Sequence, residues 1–118
     1  MQGKRIQRVA ELIKQSLGQS ILTKVRDPRL GFVTLTQVEI TPDLQYAKVY
    51  YTVFGDEKTQ KSSAVALEHS RGFLQRELAQ EVKMRVTPIL SFHYDHSIQQ
   101  GQKIEDILKK IHEEEKQD

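Results

Sequence analysis

The sequence predicts an α+β fold in which helices pack on a three-stranded sheet. Long segments carry apolar residues at helical spacing, and three shorter segments are rich in β-branched and aromatic residues. Turns containing proline or glycine separate most of these segments. The predicted order is α-β-β-α-kink-α-β-α. A chain of 118 residues is enough for one domain and not comfortably for two, so we expect a single domain.

The first element is an amphipathic helix over residues 4–23. Its apolar residues recur at intervals of three or four and share one face: Ile6, Val9, Ile13, Leu17 and Ile21. The helix should end before the turn at residues 27–31, because proline disfavours helical backbone in the residue that precedes it. Asp27 and Pro28 are expected to form that turn rather than to contact a ligand.

Two strands follow, over residues 32–40 and 45–54, and the short connection between them predicts an antiparallel hairpin. Alternation along the second strand puts four apolar side chains on one face: Ala47, Val49, Tyr51 and Val53. Tyr50 and Phe54 lie on the other face. We expect them to pack beneath a helix rather than to stack on nucleic-acid bases, because aromatic side chains mostly serve packing.

Residues 59–84 have helical spacing again, with a break at Ser70-Arg71-Gly72. A straight helix of this length would extend about 39 Å, which favours two shorter helices joined at the glycine. The first half should bury Ala64, Leu67 and Ser70. The second half should bury a further apolar set, namely Phe73, Leu74, Leu78 and Val82.

The last elements are a third strand over residues 89–95 and a helix that starts at Ser97. Ser97 followed by Gln100 is a capping-box pattern. The apolar stripe of this helix comprises Ile104, Ile107, Leu108 and Ile111. We therefore expect a domain over residues 1–112 and a short, acidic, flexible tail over residues 113–118.

Composition excludes several classes of protein. The chain has no cysteine, which excludes disulfide frameworks, thiolate zinc sites and a cysteine nucleophile. No apolar run approaches the roughly 20 residues that cross a membrane, and the first residues do not form a secretory signal. We expect a cytoplasmic monomer with no membrane contact, no cofactor and no small-molecule substrate.

Charge is distributed unevenly although the net charge is only +2. Residues 1–30 hold seven basic and two acidic side chains, whereas residues 105–118 hold six acidic and three basic ones. A basic surface on a nearly neutral protein indicates a polyanionic partner such as RNA. The alternative is a solvated helix surface with no assigned partner.

One stretch, "FHYDH", leaves an enzymatic alternative open. His93, Asp95 and His96 could ligate a metal, with His69 or His112 as a remote fourth ligand. No His-Glu-x-x-His pattern or phosphate-binding glycine loop accompanies them. The structural alternative is that Asp95 and Ser97 cap the last helix and that the histidines lie on the surface.

The order of elements resembles the type II KH domain, in which a Gly-x-x-Gly loop joins two helices and clamps a nucleic-acid backbone. That loop is absent here, since no two glycines are three residues apart. More specifically, the chain resembles bacterial ribosome-binding factor A along almost its whole length. The matching stretches are "KRIQRVAELIKQSL", "DPRLGFVTLTQVEITPDLQYAKVYYTVFG", "SRGFLQREL" and "RVTPILSFHYDHSIQQGQKI". The family replaces the loop with an Ala-x-Gly kink, to which Gly72 corresponds, with Ser70 in the alanine position.

The resemblance implies a ribosome assembly factor without catalytic activity. Family members bind the free small (30S) subunit during late maturation, act on 16S rRNA near its 5′ end and support growth in the cold. The alternative within the same class is a general single-stranded RNA-binding module of KH type, which the missing loop argues against. A scaffold for a partner protein is a further alternative.

RNA contact requires cations for phosphates, and arginine grips a phosphate at two points. The predicted RNA-binding residues are Lys4, Arg5, Arg8, Arg71, Gly72, Arg76, Lys83 and Arg85. For each basic residue the alternative is a solvated position. Arg76 could pair with Gln80 or Glu81 on its own helix. Gly72 could serve only helix packing.

Overall fold

The fold has two helices and three strands in the computed structural model, which describes residues 2–97 and residue 111. In chain order the elements are α1 (Gln2–Thr23), β1 (Phe32–Ile40), β2 (Tyr46–Phe54), α2 (Glu57–Glu81) and β3 (Ile89–Tyr94). The predicted α+β class is confirmed. The predicted last helix and the acidic tail lie outside the described residues, apart from Ser97 and Ile111, which are both helical.

The sheet has the strand order β1-β2-β3, so β2 lies in the centre. β1 pairs with β2 in the antiparallel hairpin that the short connection predicted, and the pairing shifts by one residue at Thr36, between Leu35 and Gln37. β3 pairs with β2 in the parallel direction. A parallel pair needs a crossover connection, which α2 supplies.

The core lies on one side of the sheet, here called the inner face. The helices contribute the buried side chains of Ile13, Leu17, Ile21, Leu67, Leu74 and Leu78. The sheet contributes Val38, Ala47, Val49, Tyr51, Val53 and Leu90. The predicted inward face of β2 is therefore confirmed. The prediction that Phe54 packs beneath a helix was wrong, because its side chain is 85% exposed and lies on the opposite face of the sheet.

α2 is one continuous helix of 25 residues, so the predicted division at Ser70-Arg71-Gly72 was wrong. Its buried side chains are found on both sides of Gly72: Ser63, Ala66, Leu67, Leu74 and Leu78. A helical glycine costs about 1 kcal/mol, less than the burial of a single leucine contributes. Asp56 caps the helix, since its side chain accepts a hydrogen bond from Thr59 N at 2.8 Å.

The turn before β1 packs tightly against the first turns of α2. The Gly31 N–H donates to Ser63 Oγ at 2.8 Å, and Ser63 is fully buried. A Cβ atom at Gly31 would lie 2.8 Å from Thr59 Cγ2, so glycine is required here by the close approach. The sequence predicted that Ala64 is buried. The buried residue is its neighbour Ser63, and Ala64 is only partly buried.

Candidate nucleic-acid interface

The hairpin loop between β1 and β2 has an unusual backbone at Leu44. Its φ is +61°, a left-handed conformation that residues with a Cβ rarely adopt. The loop is held by Asp43, whose Oδ1 accepts from Thr41 Oγ1 at 2.6 Å and from Gln45 N at 3.1 Å. These hydrogen bonds lower the pKa of Asp43 below its ordinary value of 3.8. Strained residues often lie at functional sites, and Leu44 lines the groove described next.

A groove of about 570 Å³ lies between the start of α1, this loop and the segment between α2 and β3. We call it the basic groove, and its cations are Arg5, Lys83 and Arg85. Its apolar lining comprises Val9, Leu44, Met84, Val86 and Ile89. The fold thus brings together predicted site residues from the two ends of the described chain.

The cations of the basic groove are available to a ligand. In the part of the chain that the structure describes, none of Arg5, Lys83 and Arg85 forms an ion pair. All three are exposed. Asp43 also lines the groove, but Thr41 and Gln45 already engage its carboxylate. Free cations beside an apolar surface suit phosphates and an unpaired base.

Lys4 and Arg8 lie on the same two turns of α1 as Arg5. They line a second depression with Lys14, facing Thr36 and Gln37 of β1. Both are exposed, and with Lys14 they place three cations beside one carboxylate, that of Glu11, along α1. The structure therefore brings five of the predicted RNA-binding residues to the region around the start of α1.

The remaining predicted site residues are on α2 and do not form one surface. Arg71 Nε lies 3.6 Å from Glu68 Oε2, an ion pair on the helix surface. Arg76 Nη1 lies near Gly72, at 3.7 Å from the position that a Cβ atom of residue 72 would occupy. Because α2 is continuous, Arg71 and Arg76 point about 140° apart around its axis. Glu81 is not the partner of Arg76, since it contacts Lys24 Nζ at 3.3 Å.

The Asp27 turn is structural, as the sequence predicted. Asp27 accepts from Arg29 Nε at 3.0 Å, from Arg29 Nη2 at 2.7 Å and from the Arg29 backbone N–H at 3.0 Å. These contacts lower the pKa of Asp27 from 3.8 to about 2. Arg29 is thereby paired within its own turn, while Arg26 lines a shallow pocket with His69 and Ser70.

The stretch "FHYDH" is used for structure. Asp95 Oδ2 accepts from Thr36 Oγ1 at 2.6 Å, and Asp95 Oδ1 accepts from Ser97 N at 2.9 Å. His93 lies beside Tyr50, with ring centroids 5.6 Å apart, and His96 lies beside Tyr94. Within residues 2–97 and 111, no group of three or more His, Cys, Asp or Glu could hold a metal ion. The metal site stays without structural support.

A protein-family model described as ribosome-binding factor A matches residues 5–108. That span includes the whole basic groove. The chain belongs to the ribosome-binding factor A family. Ribosome-binding factor A of Halothermothrix orenii is 41% identical over 118 residues, which is 100% of this chain and 97% of the relative. The protein of the same name from Staphylococcus carnosus is 46% identical over 92% of this chain and 94% of its own length.

Solved structures of ribosome-binding factor A share the fold. The crystal structure from Thermus thermophilus superposes with a TM-score of 0.70 at 27% identity, covering 78% of this chain and 97% of that one. A Thermus thermophilus ribosome-binding factor A homology model fitted into a cryo-EM map of a 30S complex superposes with a TM-score of 0.61 at 29% identity. That match covers 72% of this chain and 89% of the other. The expected KH-like architecture agrees with these matches.

Sequence reasoning missed two features of the site. Leu44 was not selected, because nothing in "TPDLQY" distinguishes a left-handed leucine from an extended one. The apolar lining was also missed, although the alternation of charged and apolar residues over Lys83, Met84, Arg85 and Val86 could have predicted it.

No described helix of this family member is long and apolar enough to cross a membrane.

Proposed function

We propose that this chain binds the free small (30S) ribosomal subunit and assists late maturation and processing of 16S rRNA near its 5′ end. It does so by recognition and without catalysis. The observation that carries the proposal is the convergence of Arg5, Lys83 and Arg85 on one groove, in a family with a member described in a 30S complex.

The basic groove supplies the principal RNA contact in this proposal. The guanidinium groups of Arg5 and Arg85 pair with phosphate oxygens at two points each, and Lys83 adds a point charge. The apolar lining receives an unpaired nucleotide, because unstacked bases gain stability against apolar and planar surfaces. Leu44 holds one wall of that lining through its left-handed backbone.

The remaining predicted residues extend this interface on two sides. Lys4 and Arg8 continue it along α1, where they contact the same RNA segment. Arg71, Gly72 and Arg76 form separate contacts on α2, with Arg71 and Arg76 directed to different flanks of the helix. The protein acts as a cytoplasmic monomer over residues 1–112, needs no cofactor and supports growth in the cold.

Co-sedimentation with separated ribosomal subunits tests the proposal. We expect binding to the small subunit and not to the large one, weaker at about 200 mM than at about 50 mM salt, because phosphate contacts release counterions. Lys83→Glu with Arg85→Glu should reduce binding at least about tenfold, since each lost phosphate contact costs roughly 1 kcal/mol or more.

The matched control is Lys58→Glu with Lys61→Glu. It reverses the same number of charges on exposed residues at the opposite end of α2. Equal losses of binding in the two double variants would show that net charge alone matters. That result would contradict the assignment of the principal RNA contact to the basic groove. Equal binding to both subunits would favour the general single-stranded RNA-binding module. The maturation step is tested separately, by whether the groove variant restores 16S rRNA processing and cold growth in cells lacking the protein.

A further inference from the structure

The basic groove has an acidic residue in its lining, Asp43, which lies in the hairpin loop between β1 and β2 and is exposed. Thr41 Oγ1 and Gln45 N donate hydrogen bonds to its carboxylate, so its pKa lies below 3.8 and the group is ionised at neutral pH. Within the described part of the chain, Asp43 forms no ion pair with the three cations of the groove. The groove therefore has an anionic part as well as a cationic one.

Only one of the two carboxylate oxygens of Asp43 is used within the loop. Thr41 Oγ1, at 2.6 Å, and Gln45 N, at 3.1 Å, both donate to Oδ1. Among residues 2–97 and 111, no other residue donates a hydrogen bond to Oδ2. The contacts that hold the loop need a single oxygen, which asparagine would also supply. Oδ2 is thus available to accept hydrogen bonds from a ligand in the groove.

The loop holds this carboxylate in a fixed position. Leu44 N donates to Thr41 O at 2.8 Å, which closes the turn. Ile89 N donates to Gln45 O at 2.8 Å, which ties the loop to the start of β3. Since Thr41 and Gln45 also donate to Asp43 Oδ1, the carboxylate is oriented without a ligand. A polar group that is already oriented contributes specificity, because little further ordering is needed on binding.

The phosphates and the bases of a bound strand should face different parts of the groove. A carboxylate repels phosphate, so the phosphates lie at the cations and only an uncharged hydrogen-bond donor can lie against Asp43. The edges of unpaired bases carry such donors. Guanine suits a carboxylate best, because its N1–H and N2–H groups are adjacent and can both point to one oxygen. Uracil presents its N3–H between two carbonyl oxygens, which a carboxylate repels.

We propose that Asp43 makes the basic groove selective for an unpaired guanine, whose N1–H and N2–H donate to Oδ2. The guanine ring lies on the apolar lining, which includes Leu44 and Ile89, and the flanking phosphates lie at the cations. The volume of the groove, about 570 Å³, is in the range of about 300–1,000 Å³ that is typical of sites for small ligands. This inference rests on the proposed function, because it names the base that the groove receives.

Fluorescence anisotropy with short labelled uridine oligonucleotides tests the assignment. Their middle position carries uridine, guanosine or inosine, which lacks the N2 amino group. The natural protein should bind the guanosine oligonucleotide at least about tenfold more tightly than the all-uridine one, as expected for a good paired contact to a base. The inosine oligonucleotide should bind with intermediate affinity. An oligonucleotide with 7-deazaguanosine should bind like guanosine, because its N1 and N2 groups are unaltered.

Asp43→Asn separates base selection from the loop contacts. Its amide oxygen can still accept from Thr41 and Gln45, whereas its amide N–H groups oppose the guanine donors. This variant should bind the guanosine and uridine oligonucleotides about equally. Glu39→Gln is the matched control, because it removes one negative charge from an exposed residue outside the groove lining. It should keep the guanosine preference. Thermal unfolding checks both variants, and the inosine comparison needs only the natural protein.

Several results would overturn the proposal. Equal binding of the guanosine, inosine and uridine oligonucleotides by the natural protein would exclude base selection and leave the phosphate contacts of the proposed function intact. A guanosine preference that persists in Asp43→Asn would assign the selection to another residue. An equal loss for all RNA oligonucleotides, absent with DNA, would assign Oδ2 to a ribose 2′-hydroxyl. No binding to any oligonucleotide would contradict the RNA-binding groove itself, and this inference with it.

Discussion

At the scale of single residues, side-chain hydrogen bonds fix where loops meet the helices. Ser63 Oγ accepts a hydrogen bond from the Gly31 N–H, and Ser63 is fully buried. Asp95 joins the end of β3 to Thr36 on β1. Such contacts are not visible as sequence patterns, because serine and aspartate more often lie on the surface.

Ser63→Ala should lower the free energy of unfolding by about 1–3 kcal/mol, because it leaves the Gly31 N–H without its partner in a tightly packed site. Ser62→Ala is the control. Ser62 Oγ contacts Arg29 O at 2.9 Å at an exposed position, so its loss should cost less. Urea unfolding measures both. Equal losses would show that the Ser63 contact contributes nothing beyond a surface hydrogen bond.

Acid should weaken the fold through Asp27. Its pKa is about 2 in the folded state because Arg29 stabilises the carboxylate, against an ordinary value of 3.8. Because the pKa of Asp27 is lower in the folded state than in the unfolded state, its ionised carboxylate stabilises the fold above pH 3.8. That stabilisation is lost as the pH falls toward 2. Asp27→Asn should therefore make the dependence of unfolding free energy on pH shallower between about pH 4 and about pH 2.

Arg29→Gln is the partner control for this prediction. It removes the cation that lowers the pKa of Asp27, so it should flatten the same pH window as Asp27→Asn does. Urea unfolding at several pH values measures the dependence. An unchanged pH dependence in both variants would contradict the assigned pairing.

At the scale of elements, local pattern predicted most of the boundaries. The strands at Phe32–Ile40, Tyr46–Phe54 and Ile89–Tyr94 agree with the expected ranges to within one residue at each end. The mistake was Gly72, where local propensity suggested a break. Burial of Leu67 on one side and Leu74 on the other outweighs the cost of a glycine, and this burial depends on the sheet beneath α2.

Gly72→Ala should raise the free energy of unfolding by about 0.5–1 kcal/mol, because alanine is the better helix residue and, among the described residues, its Cβ would meet only Arg76 Nη1, at 3.7 Å. Gly18→Ala should give a similar gain, because Gly18 lies within α1 and no atom of the described residues comes within 4 Å of the position of its Cβ. Gly31→Ala should do the opposite. Thermal unfolding compares the three. Destabilisation by Gly72→Ala would mean that this position needs a backbone that alanine cannot adopt.

At the scale of the whole molecule, the basic groove could be predicted only in part. The sequence identified each of Arg5, Lys83 and Arg85 as a candidate through charge and resemblance. It could not show that these three side chains line one groove, nor that Arg71 and Arg76 point to different sides of α2. Convergence depends on how α1 packs against the sheet, and divergence depends on the continuity of α2.

Salt dependence of RNA binding is the corresponding prediction. If about five phosphates are neutralised, a plot of log binding constant against log salt concentration should have a slope of about −3.5 for a single strand, at about −0.7 per phosphate. Lys83→Gln with Arg85→Gln should make the slope shallower by about 1.4, because two contacts are lost. Lys58→Gln with Lys61→Gln should leave it unchanged. Fluorescence anisotropy with a labelled oligonucleotide measures the slopes, and a flat response in the natural protein would exclude the groove.

The parallel pairing of β2 with β3 has a kinetic consequence. All of α2 separates the two strands in sequence, so their contact closes a long loop, and contacts of this kind form slowly. The β1–β2 hairpin is local by comparison and can form early. Refolding should therefore be limited by the arrival of β3. Until it arrives, the Tyr46–Tyr51 edge of β2 is unpaired and open to association with other chains.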